Sequence, residues 1–173
     1  MLHTHPAPPS QRRAAPAGAA DAALLLLLPI KRAGDVVYGA RYAKRMLEWG
    51  IRVKVHLLHV TPAGADAAAL FGAADPERAL REARAAAMLD EATLYLSRSG
   101  IEHSTRIVCG DLVFSILDAA ELLDCREIVL PAAKAGAWRL FSGDLARRLA
   151  RASRSANVVL ADPHGMRCPA PAK

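Results

Sequence analysis

The amino-acid sequence predicts an α/β domain, a single doubly wound parallel sheet of five strands with helices on both faces. Short, continuous apolar runs such as Leu24–Ile30 recur along the chain. Runs without polar alternation belong to strands buried on both faces. Segments of helical apolar spacing separate them, and each such alternation calls for a crossover and hence parallel pairing. The size agrees: 173 residues, 53% hydrophobic but only 5% aromatic, suit one domain with an aliphatic core.

Each element has its own warrant. Leu24–Ile30 is strand one, bounded by turn and charge signals. Asp35 to Trp49 carries Val37, Ala40, Met46 and Leu47 at helical spacing, with Gly50 where a C-terminal cap belongs. Ile51–Val60 begins with strict alternation and forms strand two. Asp75-Pro76-Glu77 opens a helix with a capping side chain, a first-turn proline and an acid near the positive helix end. That helix runs to about Ser97 through Leu80, Ala83, Ala87, Leu94 and Leu96, and Gly100 closes it. Ile101–Val108 is strand three, polar enough for a sheet edge. Asp111 caps a third helix bearing Phe114, Leu117, Ala120 and Leu122. Glu127–Leu130 is strand four, Asp144 caps a fourth helix with Leu145, Leu149 and Ala152, and Asn157–Ala161 is strand five.

The ends read differently. Residues 1–22 are rich in Pro, Ala and Gly without apolar period, which predicts a disordered N-terminal tail. The domain spans 23–162, and residues 163–173 read as a flexible C-terminal tail. Arg12-Arg13 ahead of Leu24–Leu28 has the outline of an export leader. Asp21 interrupts it, however, and Pro29, Lys31 and Arg32 stand where a cleavage site belongs. No window holds 18 uninterrupted apolar residues, so no membrane contact is expected. The three cysteines, Cys109, Cys125 and Cys168, follow no metal or disulfide spacing, and the expected compartment is the cytoplasm.

Four stretches together carry a family resemblance: LLLLPI, VHLLHVTP, CGDLVFSILDAAELLDCREIVL, and the fourth-helix region through NVVLAD. Over residues 23–162 the chain resembles the universal stress protein family. The resemblance implies strand order 3-2-1-4-5, an adenine nucleotide alpha hydrolase-like fold, a cytoplasmic homodimer formed through the last strand, and a link to stress survival. Some members of the family bind ATP. Those members carry G-x2-G-x9-G-[S/T] after strand four and an acid at the end of strand one.

Laid without gaps, that motif falls on Leu130, Ala133, Gly143 and Asp144, and the strand-one acid falls on Lys31. Only Gly143 keeps the pattern, together with Pro29 just before the strand-one switch. These two are the retained candidates for cofactor binding, and Gly136 lies off the motif. Glycines let backbone approach phosphate, and helix N-terminal amides favour its charge. Leu130 is expected to cover that backbone, and Asp144 to cap the amides and repel a triphosphate. Lys31 and Asp144 are expected to face each other across the crevice.

Other signals have plainer readings. Lys134, Arg139, Arg147, Arg148, Arg151 and Arg154 form the densest basic cluster within a net charge of +6. No recognition motif accompanies it, so a solvated helix face is expected rather than a nucleic-acid surface. His56 and His59 are three apart on a strand, point to opposite faces, and cannot share a metal. His3 and His5 sit in the tail without fixed geometry. Trp138 beside Arg139 is read as part of the loop after strand four. Phosphate-loop, nucleophile-elbow and zinc-protease signatures are missing, and nothing local activates Cys109 or Cys125.

The expected function is a non-catalytic stress-response module acting through dimerisation and contact with a protein partner. No cofactor or metal is implied, because the ATP motif is degenerate. The alternative is a regulatory switch that binds ATP, AMP or a cyclic dinucleotide between strands one and four, with Lys31 and Lys134 supplying positive charge.

Overall fold

The computed structural model describes residues 23–62, 76–132 and 138–169, with side chains left undescribed for 138–143. The predicted tail 1–22, the helix start at Asp75, and Ala133, Lys134 and Gly136 lie outside the described residues. The elements in chain order are β1 (Leu24–Pro29), a single 3-10 turn (Ala33–Asp35), α1 (Val36–Glu48), β2 (Val53–Thr61), α2 (Pro76–Arg98) and β3 (Glu102–Cys109). After these come α3 (Leu112–Leu122), β4 (Glu127–Pro131), α4 (Trp138–Ala152), β5 (Asn157–Ala161) and β6 (Arg167–Cys168).

The sheet runs β3-β2-β1-β4-β5-β6, so the expected five-stranded order is present with one addition. All pairs are parallel except β5–β6. The all-leucine run of β1 lies at the centre because it has no polar face to offer solvent. Leu26 and Leu28 pack into the cluster beneath α1 and α2, and Leu27 packs into the cluster beneath α3 and α4. Gly39 lets α1 sit down on β1, since a Cβ there would overlap the Leu28 side chain. Asp111 caps α3 as read from the sequence, its Oδ1 accepting from the Phe114 amide at 2.9 Å.

Three expectations need correction. Residues 163–169 are not a loose tail: a turn at Asp162–Gly165 folds β6 back antiparallel on β5, pairing Leu160 with Cys168 and Ala161 with Arg167. Helix α4 begins at Trp138, so Trp138 and Arg139 open the helix rather than lying in the preceding loop. Asp144 consequently stands six residues into α4, about 9 Å along its axis from the first residue. It is exposed there and caps nothing.

Candidate functional site

In a doubly wound sheet the ligand crevice opens beyond the carboxyl ends of the strands where the winding reverses, here between β1 and β4. Pro29 ends β1 opposite Leu58 of β2. The ladder continues one residue further, with the Ile30 amide donating to the Leu58 carbonyl at 2.9 Å. His59 Nδ1 lies 3.0 Å from the Ile30 carbonyl and donates to it, fixing the exit path of β1.

The chain then turns over a carboxylate. The backbone amides of Lys31 and Arg32 both donate to Oδ2 of Asp35, at 3.0 and 2.9 Å. Successive amides converging on one point form an anion-binding concavity. In this protein the anion is supplied from within. Asp35, not Asp144, is therefore the carboxylate at the mouth of the sheet. The sequence signal was the segment KRAGD, in which a short acid follows Lys31 and Arg32 by four and three residues directly before a helix.

On the β4 side, Leu130 is a core residue, buried under α3 and α4 and paired with Leu160. It fills the interior and does not shield the crevice, because it lies within β4 with its side chain in the core. Pro131 is the residue at the strand end, and the Ala132 amide donates to the Ala161 carbonyl at 2.7 Å. Gly143 lies within α4 directly before the exposed Asp144. Lys31 is exposed, so neither charge is buried in the crevice.

A cavity of about 100 Å³ lies elsewhere, on the α3 side of β2 and β3, lined by Leu27, His56, Leu58, Ser104, Arg106 and Leu123. It is too small for a nucleotide, whose pockets run to several hundred Å³. His56 Nδ1 and the Ser104 hydroxyl are hydrogen-bonded at its wall. Burial holds the His56 imidazole below its ordinary value, aided by Lys54 and opposed by Glu102. His59 uses the other face of β2. Among the described residues no three His, Cys, Asp or Glu side chains gather as metal ligands. Cys125 is buried, and burial followed by the charge of Asp124 pushes its thiol up to about 11. Arg147, Arg148, Arg151 and Arg154 are exposed, opposite the buried Ala146 and Leu149. Among the described residues no helix is long and apolar enough to cross a membrane.

The universal stress protein family model matches residues 27–160. The chain belongs to the universal stress protein family. A search of curated proteins gave no match. Among solved structures, this universal stress protein is similar to the hypothetical protein MJ0577, with TM-score 0.60 and 17% identity over 80% of this chain and 95% of that one. It is similar to the universal stress protein from Archaeoglobus fulgidus in complex with dAMP, with TM-score 0.56 and 18% identity over 80% and 97%. A third is a universal stress protein family protein from Arabidopsis thaliana with AMP bound, with TM-score 0.50 and 15% identity over 80% and 90%.

Proposed function

We propose that this universal stress protein is a non-catalytic cytoplasmic module that acts by contacting a protein partner, its adenine-nucleotide crevice altered. The observation that supports this reading is the occupation of the Lys31 and Arg32 amides by the Asp35 carboxylate. An anion arriving at the end of β1 has to displace a tethered one that loses no translational freedom on binding. A thermal-shift series with millimolar ATP, AMP and cyclic dinucleotide tests it. The expected result is an unmoved melting temperature, because only a ligand of the folded state raises it. A rise of several degrees with any adenine nucleotide overturns the altered-crevice reading.

The second reading, a nucleotide-responsive switch, is favoured by relatives of the same fold that carry dAMP and AMP. Pro29 and Gly143 are then the candidate residues for holding the nucleotide, and Lys31 supplies positive charge. In that case Lys31→Glu abolishes the nucleotide-induced rise. A homodimer through the last strand of the family match, β5, has to compete with β6 for Leu160 and Ala161.

A further inference from the structure

Strands β2 and β3 pair so that His56 lies opposite Ser104 and Leu58 opposite Arg106. Alternation puts these four side chains on one face of the sheet, the face that carries α3. α3 packs over β1 and β2, whereas α2 packs on β3 from the opposite face. The α3-side face of β3 is therefore walled by a helix on one flank only. Ser104 is half-buried there and Arg106 is exposed. The cavity of about 100 Å³ opens in this step, with Leu27, Leu58 and Leu123 as its apolar wall.

Its polar side has hydrogen-bonding capacity to spare. Burial keeps the His56 imidazole below its ordinary value, so at neutral pH it carries a single ring N–H. The His56–Ser104 contact uses one of two protons, the ring N–H or the serine O–H. Whichever is used, the other is left to donate: Nε2–H in one tautomer, the hydroxyl in the other. Among the described residues neither side chain has a further partner, and none pairs with the Arg106 guanidinium. Glu102, two residues before Ser104 on the same face, is held by Lys54 at 2.7 Å. At the end of α3 the Ala119, Ala120 and Glu121 carbonyls accept from the Leu123, Cys125 and Asp124 amides, which blunts the negative end of that helix. The charge left at the cavity is the guanidinium of Arg106.

An anionic head with a short apolar tail satisfies both sides. A planar carboxylate matches the guanidinium fork and can accept from the His56–Ser104 pair as well. The leucines cover alkyl carbons. A dry cavity of about 150 Å³ takes benzene, so one of about 100 Å³ takes a tail of about three or four carbons.

We propose that this cavity binds a short-chain monocarboxylate, with Arg106 gripping the head at the mouth and Leu27, Leu58 and Leu123 covering the tail. The site is formed on β2 and β3 rather than at the β1–β4 switch point, so it stands or falls independently of the nucleotide reading.

Titration of the full chain with sodium butyrate, followed by amide NMR, tests this. The shifts are expected to centre on Leu58, Ser104, Arg106 and Leu123, and to saturate in the millimolar range because so few atoms make contact. Arg106→Gln changes an exposed side chain without touching the core, and is expected to weaken binding about tenfold or more. Ser104→Ala is expected to weaken it about fivefold. Unchanged amide spectra elsewhere show that both variants are folded. Butyramide has the same tail without the charge, and inorganic phosphate has charge without the tail. Both are expected to move these amides far less than butyrate does. No saturating shift at tens of millimolar butyrate overturns the site, and so does equal affinity in Arg106→Gln. Butyramide binding as tightly as butyrate overturns the anionic head, and phosphate doing so overturns the tail. Shifts centred on Lys31 and Arg32 would put the acid at the β1 turn and overturn the proposal as well.

Discussion

The two edges of the sheet solve the same problem by different means. At the β3 edge, Glu102, Thr105 and Arg106 are exposed, and Glu102 pairs with Lys54 of β2 at 2.7 Å. Charge and polarity there discourage another strand from docking, and no cover is needed. At the opposite end β5 is apolar, with Val158, Val159 and Ala161 buried, and a separate piece of chain has been folded over part of it. A polar edge protects itself by composition, whereas an apolar edge has to be protected by geometry.

The largest way to break this contrast is to disturb the platform on which β6 stands. Gly39→Ala pushes a methyl group into the Leu28 side chain at the α1–β1 seam. The expected loss is about 3 kcal/mol by urea denaturation, the upper range for overpacking a filled core. Because Arg41 and Arg45 of the same helix donate to the Pro163 and His164 carbonyls, β6 amides are expected to lose protection further than β3 amides do. Equal loss at both edges would show that α1 does not govern β6.

A smaller effect is expected from Glu127→Ala. The Glu127 side chain is only 12% exposed and accepts from Tyr42, itself buried. Burial and the carboxylate raise the Tyr42 phenol well above its ordinary range, so it remains a donor at any ordinary pH. Removing the acceptor leaves that hydroxyl unpaired inside the protein, at about 1–3 kcal/mol. Equilibrium denaturation measures the loss, and a fall below about 0.5 kcal/mol, the usual range for a surface change, counts against a shared Tyr42–Glu127–Arg167 anchorage.

The contrast between the edges also marks what the sequence discloses. β5 spans Asn157–Ala161, Asp111 caps α3, and β3 lies at the sheet edge, each in agreement with the sequence, where strand three is polar enough for an edge. These features are local: a few neighbouring residues contain the whole signal. The hairpin that carries β6 is not local. Residues 163–168 have no apolar period, and their partners on α1 lie 119 and 122 positions away in the chain. The start of α4 failed for a related reason. An acid ahead of an apolar run resembles a cap, yet Asp144 also precedes Arg147 and Arg148 by the three- and four-residue steps of a continuous helix face. At the site, KRAGD held the position of the mouth carboxylate in plain view, but its role needed the turn geometry that brings Oδ2 onto both amides.

Acid separates the two edges in order. His56, beside β3, has its imidazole lowered from 6.5, chiefly by burial. The unfolded chain therefore takes up this proton first. The contribution of neutral His56 is complete above about pH 6.5 and is lost as pH falls from there through the lower folded value. Asp162, in the turn before β6, has its carboxyl lowered from 3.8, chiefly by the Met166 amide. Its contribution persists down to about pH 4 and is lost only as pH falls through the folded value below that. Amide exchange followed by NMR from neutral pH downward is therefore expected to show loosening around His56 and Ser104 first. The His164 and Met166 amides follow at lower pH. The separation is small in free energy because Asp162 is open to solvent, so the order of events, rather than the depth of the loss, is the decisive reading. His164 and Met166 amides that open before the His56 region would place the acid-sensitive joint at the β5 end, and the edge protected by geometry would then be the weaker of the two.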